Sequence, residues 1–130
     1  LLIDDDETIR KTLSRTLERE GFYVDRVRDA KQALEKSRLR LYNVALVDIR
    51  LPDIDGIRLL KMLREENPEI KVIIMTGYPS IENAVRAVNE GADAYIIKPF
   101  NPSDLLSTIR EKLKYQTKPS ESSCGSAVEM

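Results

Sequence analysis

A doubly wound α/β domain, with a five-stranded parallel sheet and helices on both faces, is the fold this sequence predicts. Three observations carry that prediction. Short aliphatic runs alternate five times with amphipathic helical patterns. Each connection between runs is long enough for a helical crossover, which parallel neighbours require because no tight turn can join them. Two of the runs, residues 44–47 and 72–75, are apolar throughout, as in strands covered on both faces.

The first strand is the run Leu1-Leu2-Ile3. A helix follows with Ile9, Leu13 and Leu17 on one face, Asp6 as its N-cap and Gly21 as the left-handed residue that ends it. Residues 22–27 form the second strand, near a sheet edge, with Phe22, Val24 and Val27 inward and Asp25 and Arg26 facing out. Asp29 caps the second helix, with Gln32 three residues on in a capping-box variant and Ala33 and Leu34 on the buried face. Residues 44–47 make a central strand that ends in Asp48. Beyond a loop holding Pro52 and Gly56, the third helix carries Ile57, Leu60, Met62 and Leu63 and stops near Asn67-Pro68, because proline disfavours helix in the residue before it. Residues 72–75 repeat the buried-strand pattern and end in Thr76. The fourth helix presents Ile81, Ala84, Val85 and Val88 and is stopped by Gly91; residues 94–97 form the fifth strand, ending in Lys98-Pro99. Asn101-Pro102 starts the last helix, whose apolar stripe is Leu105, Leu106, Ile109 and Leu113.

From about Gln116 the pattern fails, so a single domain is expected over residues 1–116, with 117–130 a polar, disordered tail or linker. Only three residues precede Asp4, fewer than the ~5–6 of a usual strand, and the chain is expected to be a fragment of a longer protein.

Composition narrows the function. With 130 residues, 42% of them hydrophobic, there is material for one core. The 21 basic and 22 acidic residues leave a formal charge of -1, which offers no cationic surface for nucleic acid. The absence of histidine removes Ser-His and Cys-His catalysis and every His-based zinc site. A sole cysteine, Cys124, excludes an internal disulfide and fits a reducing, cytoplasmic location. No apolar run approaches the roughly 18 residues of a membrane span.

In an open α/β sheet the ligand site lies outside the carboxyl ends of the strands. Those ends carry Asp4, Asp5 and Asp6, then Asp48, Thr76 and Lys98. If strands one, three, four and five are neighbours, these groups converge, and like charges a few ångströms apart repel by about 1–4 kcal/mol per pair. A hard divalent ion such as Mg2+ relieves that crowding, since it favours oxygen ligands and accepts carboxylates together with a phosphate. The cluster thus suits a phosphoryl group beside a metal, with a carboxylate as nucleophile and Lys98 and Thr76 neutralising or hydrogen-bonding the phosphoryl oxygens. Acids at the start of a helix also have a plain structural role, and for Asp6 that role is preferred. Asp53-Ile54-Asp55-Gly56 has a superficial likeness to a calcium loop but lacks the third acid and the bidentate glutamate.

The residues Asp4-Asp5, Asp48-x-x-x-Pro52-x-x-x-Gly56, Thr76-Gly77 and Lys98-Pro99-Phe100 resemble the receiver domain of two-component response regulators, over residues 1 to about 115. The resemblance implies strand order 2-1-3-4-5 and makes Asp48 the acceptor for a phosphoryl group from a histidine kinase or phosphotransfer protein. It further implies Mg2+ on Asp5, Asp48 and the main-chain carbonyl of Arg50, with Asp4 acting through metal-bound water. Thr76 and Tyr95 match the family's switch pair, Lys98 its phosphate-facing lysine, and the bond to Pro99 would be cis. The stretch from Thr76 to Phe100 is most like receivers attached to AAA+ transcriptional activators. Such a domain catalyses its own phosphorylation and dephosphorylation but turns over no external substrate. Its fourth helix, fifth strand and last helix would face an effector domain or a second copy, with Arg86, Asn89, Asp93 and Arg110 among the exposed candidates.

Arg50 and Tyr78 each lie two positions past a site residue, and their bulk is expected to slow hydrolysis of the acyl phosphate. A receiver-shaped binding module that never takes phosphate is the alternative, although such a module would normally lose an acid or the lysine. An aspartyl-intermediate phosphohydrolase would need a second acid where Arg50 stands, and a flavin site would need a Ser/Thr/Gly-rich loop after strand one.

Overall fold

The computed structural model describes residues 1–114. The expected tail, residues 117–130, lies outside them. Five strands, β1 (Leu2–Ile3), β2 (Arg26–Val27), β3 (Val44–Asp48), β4 (Lys71–Thr76) and β5 (Ala94–Ile97), alternate with five helices, α1 (Glu7–Arg19), α2 (Ala30–Leu39), α3 (Gly56–Glu66), α4 (Ile81–Asn89) and α5 (Pro102–Lys114). All neighbouring strands are parallel, in the order β2-β1-β3-β4-β5.

Strand alternation divides the core between the two sheet faces. Ile3, Val47, Val72 and Ile74 pack with Ala33, Ile57, Leu60 and Leu63 of α2 and α3, and Ala87 of α4 joins them. On the other face Leu2, Leu46, Ile73 and Met75 pack with Leu13 and Leu17 of α1 and Leu105 and Ile109 of α5. β3 and β4 are buried from Ala45 to Asp48 and from Val72 to Thr76, which explains their unbroken apolar sequence.

Local sequence sets the helix ends. Asp6 Oδ1 accepts from the amides of Thr8 (2.9 Å) and Ile9 (3.3 Å). Asp29 Oδ1 accepts from Gln32 (2.8 Å), while Gln32 Oε1 reaches back to the Arg28 amide (3.1 Å). Past α1 and α4, Gly21 and Gly91 take φ values of 93° and 84°, the left-handed region that glycine enters without a Cβ clash.

Two expectations need correction. β2 is confined to Arg26–Val27 rather than running from Phe22. As an edge strand it has only β1 to pair with, and β1 contributes two residues, Leu2 and Ile3, to the ladder. Phe22 and Val24 instead pack beside α1 and α5, and Asp25 is half-buried and accepts a hydrogen bond from the Tyr42 hydroxyl. On α4, Ile81, Val85 and Val88 face solvent at 85%, 51% and 72% exposure. The helix joins the core through Ala87, and the stripe at i, i+4 and i+7 is left uncovered.

Candidate phosphoacceptor site

Register brings the polar residues together. β1 lies beside β3 with Ile3 opposite Val47, so the next residues, Asp4 and Asp48, leave the sheet side by side. β3 lies beside β4 and β4 beside β5, with Thr76 opposite Ile97, which sets Thr76 and Lys98 along the same edge. The strand order reverses between β1 and β3, the place where an open α/β sheet leaves a crevice.

Carboxylate oxygens of Asp4, Asp5 and Asp48 lie within 4.8 Å of one another. Asp4 is fully buried, Asp48 is buried and Asp5 is exposed. The Lys98 ammonium sits between the two buried acids, donating to Asp4 Oδ2 at 2.7 Å and to Asp48 Oδ2 at 3.2 Å. Asp48 Oδ1 accepts from the Arg50 amide (3.1 Å), and Asp4 Oδ1 from the Asp6 amide (2.9 Å). Burial and the charge of Asp4 together raise the Asp48 pKa above the usual carboxylate range, against the opposing pull of Lys98. Burial lowers the Lys98 pKa, but its bonds to Asp4 and the charges of Asp4 and Asp48 outweigh that and raise it. One ammonium against three carboxylates leaves an acidic pocket built of oxygen donors, a set that suits a hard divalent cation.

Thr76 is buried, and its Oγ1 accepts from the Tyr78 amide (3.0 Å). The Tyr95 ring is half-buried against the α2–α3–α4 core, and its hydroxyl is buried with no hydrogen-bond partner among the described residues. The Lys98–Pro99 peptide is cis, as the resemblance implied. A Cβ added to Gly56 would stand 2.2 Å from the Asp48 carbonyl oxygen, so this loop closes only over glycine. Gly77 faces open space.

Several contacts of these and neighbouring residues were not legible in advance. The Arg50 guanidinium stacks on the Tyr78 ring, 4.0 Å from its centroid, linking the loops that follow Asp48 and Thr76. Arg10 donates to the Asp4 carbonyl at 2.6 Å. Of the expected partner-surface residues, Arg86, Asn89 and Arg110 are exposed, with Arg86 bonded to Asp55 (3.1 Å) and Arg110 to Glu20 (2.7 Å). Asp93 is different: it is half-buried and accepts from Arg64 at 2.5 Å and from the Val72 amide at 2.8 Å, so it ties the core together.

Known proteins share this fold. Residues 1–110 match the response regulator receiver domain. The transcriptional regulatory protein ZraR of Klebsiella oxytoca is 40% identical over 122 residues, 94% of this chain and 27% of that protein. A CheY-like response regulator receiver domain protein from Methanospirillum hungatei JF-1 superposes with a TM-score of 0.85 at 45% identity, covering 88% of this chain and 92% of the other. A response regulator from Burkholderia pseudomallei, solved with a phosphorylated aspartic acid, calcium ion and citrate, gives 0.80 at 33% identity, covering 88% of this chain and 67% of the other. The chain spans about a quarter of the length of most of the curated relatives it matches. Fold, acidic pocket and family match agree, and this chain is a receiver domain of the response regulator family, a signalling domain of two-component systems.

Proposed function

We propose that Asp48 is the phosphoacceptor, receiving a phosphoryl group from a phosphohistidine of a histidine kinase or phosphotransfer protein. The observation that carries this reading is the placement of Lys98 between Asp4 and Asp48 beside Asp5. Asp5, Asp48 and the Arg50 carbonyl would hold Mg2+, with Asp4 acting through water. Bound there, the cation would offset carboxylate repulsion and the charge of the phosphoryl oxygens.

An Asp48 carboxylate oxygen attacks phosphorus as the P–N bond breaks, and the electron pair leaves with the imidazole nitrogen. Arg50 N–H keeps the other Asp48 oxygen in place. Lys98, already beside Asp48, can turn its ammonium toward a phosphoryl oxygen. Thr76 can do the same with its hydroxyl, which is held until then by the Tyr78 amide. Tyr95, with its buried unpaired hydroxyl, would serve as the second half of the switch. The receiver unit spans residues 1–116 in this reading. Its output face is the uncovered strip of Ile81, Val85 and Val88 on α4 with Ile97 on β5, an apolar patch suited to a second copy or an effector of the AAA+ activator type. The domain performs this chemistry on itself and turns over no other substrate.

Incubation with a small acyl phosphate donor and Mg2+, followed by intact mass measurement, tests the assignment. One phosphate-sized adduct is expected, absent without Mg2+ and absent in Asp48→Asn. A folded protein that takes no phosphate would favour the interaction-module alternative. The Arg50–Tyr78 stack leads to a second expectation. Either Arg50→Ala or Tyr78→Ala should shorten the lifetime of the acyl phosphate about two- to fivefold, matching the ~0.5–1 kcal/mol of an exposed cation–π pair. Unchanged decay in both variants would leave the stack without a role in hydrolysis.

A further inference from the structure

The loop from Asp48 to Asp55 is fastened at both its base and its tip. At the base, Arg50 and Asp55 form an antiparallel bridge and the Gly56 amide donates to the Ile49 carbonyl at 2.8 Å. At the tip, Asp53 Oδ1 accepts from the Ala30 amide (3.0 Å) and Oδ2 from the Lys31 amide (3.0 Å), while Oδ1 also takes the Ile54 amide (3.0 Å).

Ala30 and Lys31 open α2, and their amides are among those a helix leaves without intrahelical partners. Asp29 serves α2 from within its own stretch, through Gln32. Asp53 comes from more than 20 residues away and meets the positive end of the helix dipole with a charged acceptor. Its slight burial acts to raise the Asp53 pKa, yet the Ala30 and Lys31 amides hold it below the ordinary carboxylate value. A cap supplied by a distant loop stabilises the helix and also fixes the loop. Three residues before Asp53 stands Arg50, whose amide holds Asp48 Oδ1 and whose carbonyl belongs to the proposed metal ligands.

We propose that Asp53 is a positioning residue for the phosphorylation site: by pinning the loop tip to the amino end of α2 it sets the direction of the Arg50 carbonyl and so the affinity for Mg2+. This inference rests on the reading of the site as an Mg2+-dependent phosphoacceptor. It extends the reach of the site to α2, on the side of the molecule away from α4 and β5.

Calorimetric titration of the full chain with Mg2+ tests it, using wild type, Asp53→Ala, Asp53→Asn and Asp29→Ala. Asp53→Ala and Asp29→Ala both strip a cap from α2, but only the first frees the loop. The Mg2+ dissociation constant should rise about three- to tenfold in Asp53→Ala, below the 10–100-fold typical of groups that bond directly to a metal ligand, because Asp53 acts through intervening backbone. Asp53→Asn, which retains the Oδ1 acceptor, should show about half that rise on a logarithmic scale, and Asp29→Ala should match wild type. Wild-type affinity in Asp53→Ala, or equal weakening in Asp29→Ala, overturns the proposal while leaving the site reading intact. If Asp53→Ala does not fold, wild-type affinity in Asp53→Asn has the same force. A wild-type chain that binds no Mg2+ removes the site reading and the anchor with it.

Discussion

Replacing Lys98 with alanine is expected to destabilise the metal-free fold by about 3 kcal/mol, seen as a fall in the urea midpoint at unchanged slope. The size follows from what remains. Asp4 is fully buried and Asp48 nearly so, and the Lys98 ammonium at 2.7 Å and 3.2 Å is the cation that accompanies both. Without it two desolvated carboxylates face each other with only backbone amides as donors, and removing one partner of a buried ion pair is among the most destabilising single changes. The Lys98 side chain is 16% exposed, which keeps the estimate at the lower end of that class. Mg2+ should restore part of the loss in this variant, because the cation and the ammonium relieve the same crowding. A midpoint equal to wild type in Lys98→Ala would show that the pocket charges are screened by solvent.

Much of the fold was open to inspection in the sequence. Residues 44–47 and 72–75 read as central strands, since nothing polar interrupts them, and both proved buried apart from the half-buried Val44. Asp6, Asp29 and Gly21 marked helix ends because capping is local chemistry, settled within three or four residues. The convergence of Asp4, Asp5, Asp48, Thr76 and Lys98 needed two steps: parallel strands deliver their last residues to one edge, and the order 2-1-3-4-5, implied by the family resemblance rather than by periodicity, makes strands one, three, four and five neighbours.

What stayed hidden depends on contacts between distant segments. Nothing in residues 22–25 says that the ladder with β1 starts only at Arg26. The apolar stripe of Ile81, Val85 and Val88 has the period of a buried face, and periodicity cannot distinguish a core from an uncovered surface. Asp53 was visible only as part of an imperfect calcium-loop pattern, since its partners, the amides of Ala30 and Lys31, belong to an element that precedes it by more than 20 residues. The Arg50–Tyr78 stack and the Arg64–Asp93 pair escape detection for the same reason.

The second large effect expected is stabilisation by Mg2+ itself. A ligand that binds only the folded chain adds about 2.7 kcal/mol at a concentration 100 times its dissociation constant. The unfolded chain cannot reproduce the site, because Asp4 and Asp5 are separated from Asp48 by more than 40 residues and meet only through β1–β3 pairing. Loss of one ligand should remove most of that gain, so Asp5→Asn should melt at nearly the same temperature with and without the cation.

All of this depends on one claim, that Asp4, Asp5, Asp48 and Lys98 act as a single charge-coupled pocket. Amide NMR during a Mg2+ titration tests that claim most directly. The predicted result is one saturable, one-to-one transition whose shifts centre on residues 4–5, 48–50, 76–78 and 98 and which disappears in Asp5→Asn. Shifts that never saturate, or that spread over the exposed acids at the helix ends while these residues stay still, would contradict it.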